Sequence, residues 1–315
     1  MSAADLSRCI NPSVLARTDA LAAAFARREP FRHLVIDDFL DAGFAVRLLE
    51  QFPAFERGNA RNEAGQLGGK STIERIRALG DAYSELDDLI RTREFLDFVG
   101  AITGIPDLLY DPHYFGGGTH ENRDGQDLDP HIDFNRHPLE PWHRRLNLIV
   151  YLNHDWEDAW GGSLELHSDP RSPDDRTEVV TPLYNRCVVF ETTESSWHGF
   201  SRITLPDDRK DLSRKSVALY FYTTQRPVEE LGPTHSTIYV DRPLPPRFAP
   251  GLTLSAADVE ELRTLLARRD QHLQRIYSDT TRLTAELERS QAALRGGRLG
   301  RLEHLLRRMV AKLRR

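Results

Sequence analysis

His131 and Asp133 stand two residues apart in the run DPHIDFN, Asp129 to Asn135. On an extended chain, positions i and i+2 project from one face. An imidazole nitrogen and a carboxylate oxygen would then emerge together. That pair is two-thirds of a 2-His-1-carboxylate facial triad, a ligand set that holds Fe(II) and leaves positions open. The tripeptide alone is a weak signal in a chain with twelve histidines, and a polar surface loop explains it equally well. The missing ligand has to be a distant histidine. Trp197-His198-Gly199 lies 67 residues downstream, after the apolar run Cys187 to Phe190. Arg214-Lys215-Ser216 then opens an alternating segment that runs to Tyr222.

These residues sit in a stretch whose texture is that of short strands. From Leu108 to Tyr222, brief apolar runs alternate with Gly, Pro, Asn and Asp clusters. Strands are expected at Leu146–Leu152, Ser163–His167, Glu178–Thr181, Cys187–Phe190, Gly199–Thr204 and Ser216–Thr223. Strands at such spacing suggest a sandwich or barrel. Thr119–Asp129 and His167–Thr177 are expected to be long loops at its mouth. The first hundred residues look mainly helical. Leu15–Arg28, Asp41–Phe52 and Ile73–Val99 carry helical spacing, Phe31–Ile36 suits a strand, and Gly58–Gly69 suits a loop. No dinucleotide-binding GxGxxG or βαβ rhythm is present.

With these elements placed, the resemblance is specific. Residues 108–223 resemble the Fe(II)/2-oxoglutarate-dependent dioxygenases of the prolyl 4-hydroxylase-like family. The matching text is Gly116-Gly117-Gly118, HIDFN, YLNHDW at Tyr151–Trp156, GGSLEL at Gly161–Leu166, WHG and RKSVALYFY. Phe31–Pro53 is similar to the segment that precedes such domains. The resemblance implies a mainly β, α+β fold with a double-stranded β-helix (jelly-roll) core and flanking helices. It implies His131, Asp133 and His198 as catalytic Fe(2+) ligands, with 2-oxoglutarate and O2 as cosubstrates. Arg214 would fork onto the far carboxylate of 2-oxoglutarate, with Ser216 on the same strand face and the Tyr151 phenol assisting. Arg214 lies sixteen positions after His198, farther than the basic residue in many prolyl hydroxylases. Lys210 and Lys215 therefore compete with it. His120, Asn135, Arg145 and Asn147 are candidate substrate-pocket residues by their place near the metal strands. His137, His143, His154 and His167 are read as solvated or structural.

The implied chemistry is hydroxylation of an unidentified small-molecule or peptidyl substrate, with oxidative decarboxylation of 2-oxoglutarate to succinate and CO2. Asp133 argues against halogenation, which needs that coordination place for halide. Two other readings are a non-catalytic binding or scaffold protein on the same fold, and a metal enzyme that does not use 2-oxoglutarate. Ala64–Ser71 meets a relaxed phosphate-loop pattern, but the polar Glu56–Glu63 before it cannot be the buried strand such a loop needs. Surface loop is the better reading there. Cys9 and Cys187 are too few for a disulfide framework or a cysteine-based zinc site. Cys187 reads as a small buried hydrophobe.

The chain has 315 residues, 39% hydrophobic, and a formal charge of −6. Residues 295–315 hold eight Lys/Arg against Glu303, a net of +7, which leaves −13 on the rest. An acidic body gives no reason to expect nucleic acid. No apolar run is long enough for a membrane span, and the polar N-terminus lacks a signal-peptide core, so a cytoplasmic protein is expected. The expected organisation is a helical flank at 1–107, the oxygenase core at 108–241, a proline-rich linker at 242–254 and a helical extension at 255–315. Ser255 and Asp258 suit a capping box. Two heptad seams, Leu262, Arg269, Ile276, Leu283, Ser290 and Val259, Leu266, Leu273, Thr280, Leu287, Leu294, are apolar at eight of eleven positions and suggest a coiled coil and a homodimer, which the polar Arg269, Thr280 and Ser290 would weaken or set in register. The basic amphipathic tail could alternatively touch an acidic membrane surface or dock a partner.

Overall fold

The computed structural model describes residues 3–26, 29–58, 70–241 and 244–296. Two compact units divide it, residues 1–240 and 241–315. The first unit begins with α1 (Ala3–Cys9), α2 (Pro12–Leu15), α3 (Thr18–Phe25), β1 (His33–Ile36) and α4 (Ala42–Glu50). Next come β2 (Ser71–Ile73), α5 (Asp81–Ile90), α6 (Arg93–Thr103) and β3 (Leu109–Tyr110). The core strands follow: β4 (Gly118–Asn122), β5 (Leu128–Ile132), β6 (His143–Tyr151), β7 (Leu164–His167), β8 (Thr177–Val180), β9 (Cys187–Glu191), β10 (Trp197–Phe200) and β11 (Arg214–Thr223). A last short strand, β12 (Ile238–Tyr239), closes the unit.

The strands form two antiparallel sheets. The larger runs β1-β9-β6-β11-β4-β2, with β3 paired to β11, and the smaller runs β12-β5-β10-β7-β8. The chain crosses between sheets at every step from β4 to β11 except the β7–β8 hairpin, which is the path of a double-stranded β-helix. Strands β6, β9 and β11 are buried on both faces, which accounts for their nearly unbroken apolar text. Their outer face meets the N-terminal helices in one core. That core joins Leu146, Leu148, Val150, Leu219 and Phe221 to Phe44, Leu48, Leu86, Phe95 and Val99. Their inner face meets the smaller sheet through Tyr151, Val188, Phe190, Leu164, Leu166 and Val180. The helices are locally specified. The Asp41 carboxylate accepts from the Gly43 and Phe44 amides to start α4, and the Thr92 hydroxyl accepts from Phe95 to start α6.

Three expectations change. Ile73 is the end of strand β2 and not of a helix. Thr119–Asp129 is largely strand, holding most of β4 and the start of β5. Gly199–Thr204 shifts back to Trp197–Phe200. The missed strands share one cause. Their inward side chains are polar and face a ligand cavity, so no hydrophobic alternation marks them.

In the second unit, α7 (Ala256–Gly296) opens with the expected capping box. The Ser255 Oγ accepts from the Asp258 amide at 3.2 Å, and the Asp258 carboxylate accepts from the Ser255 amide at 2.9 Å. Leu266, Leu273, Ile276, Leu283 and Leu287 are exposed along it. The basic tail at 297–315, like the 59–69 stretch, lies outside the described residues. Among the described residues, no helix is long and apolar enough to cross a membrane.

Candidate metal and cosubstrate site

Strands β5 and β10 pair so that His131 and His198 stand directly opposite each other. Asp133 follows one residue beyond the end of β5. One ligand atom from each of the three lies within 4.8 Å of the other two. Both imidazoles turn the same way. His131 Nδ1 lies 2.9 Å from the Asp129 carbonyl, and His198 Nδ1 lies 2.9 Å from the Ser196 carbonyl. A carbonyl only accepts, so each Nδ1 carries the proton and each Nε2 keeps its lone pair for a metal.

The electrostatics favour that ligand form. Burial pulls His131 down to about 3, and it also lowers His198. Burial alone would raise Asp133, but Arg144, the two imidazoles and an Asn147 hydrogen bond together hold it well below the usual carboxylate range. Neutral nitrogens and an ionised oxygen are the forms a divalent cation needs. The donor set, two nitrogens and one carboxylate, suits Fe(II).

Asp133 is clamped from behind. Asn147 Nδ2 donates to its Oδ2 at 2.8 Å, and Arg144 Nη2 lies 3.0 Å from the same oxygen. Arg144 also donates through Nε and Nη2 to Asn147 Oδ1, at 3.1 and 2.7 Å. Its guanidinium lies 3.6 Å from the Tyr220 ring centroid and 4.4 Å from that of Phe134. Sequence reasoning named Arg145 and missed Arg144. A bulge explains this. Phe221 pairs with Leu146, but Tyr222 pairs with Arg144, so Arg145 is the extra residue. Bulges re-aim side chains in this way. Arg145 instead pairs with Glu191 and Glu230, each at 3.3 Å, away from the pocket. Asn135 is held by the β12 approach. It donates to Glu194 and to the Pro233 carbonyl, and accepts from the His235 amide, which fastens the segment leading to β12. Tyr239 of β12 stacks on His131 at 5.2 Å.

The other end of the pocket is cationic. Arg214 opens β11 and is buried. Its Nε donates to the Gly162 carbonyl at 2.6 Å, and its Nη2 donates to the Tyr151 hydroxyl at 3.1 Å. Phe200 lies 4.3 Å beneath it. Gly162 has φ +71, and a Cβ there would come within 3.3 Å of Arg214 Cδ, so glycine both permits the turn and clears the cation. Among the described residues no carboxylate pairs with Arg214, so its fork is left for an anion. Ser216 stands opposite Tyr151 on the adjacent strand. The two competing lysines are placed elsewhere. Lys210 pairs with Asp124 at 2.6 Å, and Lys215 donates to Ser213 and lies over Phe52. His120 also faces inward, with Nε2 3.1 Å from the Gly116 carbonyl, and burial holds it well below the usual imidazole value. Of the remaining histidines, His137 is bonded to Asp111, His143 to Arg136 and His167 to Asp175, while His154 stacks on Tyr184.

Residues 117–222 match the 2OG-Fe(II) oxygenase superfamily profile. The mouse (Mus musculus) prolyl 3-hydroxylase OGFOD1 is 28% identical over 136 residues, 38% of this chain. The chain spans 23% of that protein's length. Among solved structures, a Trichoplax adhaerens prolyl hydroxylase in complex with a hypoxia inducible factor peptide aligns with a TM-score of 0.47 and 14% identity. That alignment covers 67% of this chain and 93% of that one. A Pseudomonas putida prolyl-4-hydroxylase aligns with a TM-score of 0.43 and 17% identity, over 66% and 100%. Over residues 117–222 the chain is similar to the 2OG-Fe(II) oxygenase superfamily, and its sequence likeness extends to a prolyl 3-hydroxylase.

Proposed function

We propose that this protein is an Fe(II)- and 2-oxoglutarate-dependent hydroxylase of the prolyl 4-hydroxylase type. Residues 108–241 form its catalytic core. His131, Asp133 and His198 hold the iron, and Arg214, Tyr151 and Ser216 hold the far carboxylate of 2-oxoglutarate. The observation that carries this reading is a His-Asp-His cluster whose ligand atoms lie within 4.8 Å of one another, together with a buried arginine that has no carboxylate partner among the described residues. When bound, the iron and 2-oxoglutarate supply O2-dependent oxidation of a C–H bond, coupled to formation of succinate and CO2.

The chain's own part is positioning. The two backbone carbonyls fix the imidazole tautomers. Arg144 and Asn147 occupy one oxygen of Asp133 and keep it ionised, which leaves the other oxygen free to ligate. Arg214 supplies a rigid fork whose orientation Gly162 and Tyr151 fix before any ligand arrives. Phe190 lies 4.7 Å from the His198 ring and Phe200 lies 4.3 Å from the Arg214 guanidinium, so an aromatic side chain backs each end of the site.

The second unit is the means of assembly in this reading. Heptad spacing and exposed leucines on α7 support a homodimer through a coiled coil. A cytoplasmic location agrees with two buried free cysteines. Purified protein with Fe(II) and 2-oxoglutarate should form succinate, and a peptide or metabolite pool should raise the rate. Iron binding without succinate from any pool would overturn the hydroxylase and favour a binding protein on this fold.

A further inference from the structure

One lysine, Lys70, lies within reach of the charges of this site. The chain has four lysines against thirty-eight arginines, so a lysine is an unusual choice of cation here. Lys210 and Lys215 lie near Asp124 and Glu121. Lys70 has no carboxylate at ion-pair distance among the described residues. It immediately precedes β2, whose register with β4 pairs Ser71 with Glu121 and Thr72 with His120. Continued by one residue, that register would set Lys70 beside Asn122, which itself pairs with Arg214. Lys70 and Thr72 therefore share the inward face with His120, Arg214 and Ser216. The charges that Lys70 feels are those of the site, Asp133 first, then Arg144, Glu74 and Arg214. Thr72 is buried, and its hydroxyl has no hydrogen-bond partner.

Arg214 already answers the far carboxylate of 2-oxoglutarate, and Arg144 is spent on Asp133. Iron and dianionic 2-oxoglutarate cancel each other. Among the described residues, Lys70 and Arg214 then have Glu74 as their remaining counter-charge, which leaves an excess positive charge at the loaded site. We propose that Lys70, with the Thr72 hydroxyl beside it, binds a carboxylate of the substrate to be oxidised, so that this oxygenase acts on an acid. The inference rests on the oxygenase reading above and deepens it.

The test uses matched probes, the N-acetyl amino acids and their C-terminal amides, on full-length protein saturated with 2-oxoglutarate. Amine acylation of the nickel-loaded protein, read lysine by lysine in a mass spectrometer, reports occupancy without turnover. At least one acid should shield Lys70 and raise succinate formation by the iron form, while its amide does neither. Losing one charge-assisted pair costs about 10- to 100-fold. Lys70→Met should raise the KM for that acid by about this factor, at least tenfold more than it raises the KM for 2-oxoglutarate. Lys70→Arg, which keeps the charge, should recover part of the loss. Labelling of Lys70 that no acid slows would overturn the proposal. So would a Lys70→Met defect that falls equally on 2-oxoglutarate, since the lysine would then serve the cosubstrate. Absence of all 2-oxoglutarate turnover would count against the oxygenase reading, and the labelling result would still stand by itself.

Discussion

Replacing Arg214 by methionine separates the ligand-binding role of this residue from any structural one. The wild-type guanidinium is buried without a carboxylate partner among the described residues, and burial lowers its pKa. Its absence should remove two charge-assisted bonds to the distal carboxylate. At about 1.5–3 kcal/mol each, and allowing for incomplete additivity, the loss is about 3–4 kcal/mol, or 10²- to 10³-fold in affinity. The assay is thermal unfolding of nickel-loaded protein with and without 2-oxoglutarate. At a hundred times Kd, wild type gains about 2.7 kcal/mol. At about 2–4 °C per kcal/mol for a unit of this size, the midpoint rises by about 5–11 °C. The variant at the same concentration sits at or below its own Kd, gains at most about 0.4 kcal/mol, and moves by about 2 °C or less. Without ligand, the variant should lose little. A paired buried arginine costs about 3–5 kcal/mol to break. Here the orphaned Gly162 carbonyl, worth about 1–3 kcal/mol, is set against removal of an unpaired buried cation. A net change within about 2 kcal/mol is expected. A variant that keeps more than half of the wild-type upshift refutes the assignment of Arg214 to the cosubstrate. A ligand-free loss beyond about 4 kcal/mol refutes the claim that this cation is uncompensated.

Other outcomes follow from the same geometry. Asn147→Leu or Arg144→Met should weaken divalent-metal binding by about 10- to 100-fold through the carboxylate clamp, measured by nickel titration. Asp87 is buried and accepts from Tyr110 and Tyr114 at 2.6 and 2.9 Å, with Arg77 at 2.9 Å and Arg91 adjacent. Burial alone would raise its pKa, but these partners bring it below the ordinary value. A depressed carboxylate stabilises the fold above its unfolded pKa of about 3.9. That contribution should be lost as pH falls below about 4, and Asp87→Asn should flatten this part of a urea-unfolding pH profile. Ending the chain after Val240 should leave a folded, metal-binding monomer, whereas the full chain should sediment as a dimer. A full-length monomer would remove the coiled-coil reading.

The chemistry was legible in the sequence where it depended on residue type and short spacing. HxD, the distant WHG and the RKS opening of β11 name the groups that meet, because strand alternation and antiparallel pairing carry those offsets into space. The apolar strands β6, β9 and β11 were legible for the same reason, as was the Ser255–Asp258 cap. Strands β2, β4 and β5 were not, because their inner faces are polar. The choice of Arg144 over Arg145 depends on one bulge, which alternation cannot anticipate. That Asn135, named for its place near the metal strands, also fastens the segment leading to β12 is visible only in the structure. Lys70 illustrates the limit most directly. Its own segment is a short polar stretch that resembles a poor phosphate loop, and nothing local ties it to Asp133 or Arg214. Only the pairing of β2 with β4, and of β4 with β11, brings Lys70 toward Arg214. Side-chain identity and local period are properties of the sequence. Which charges share a low-dielectric space is decided by non-local strand pairing, and that only the tertiary structure supplies.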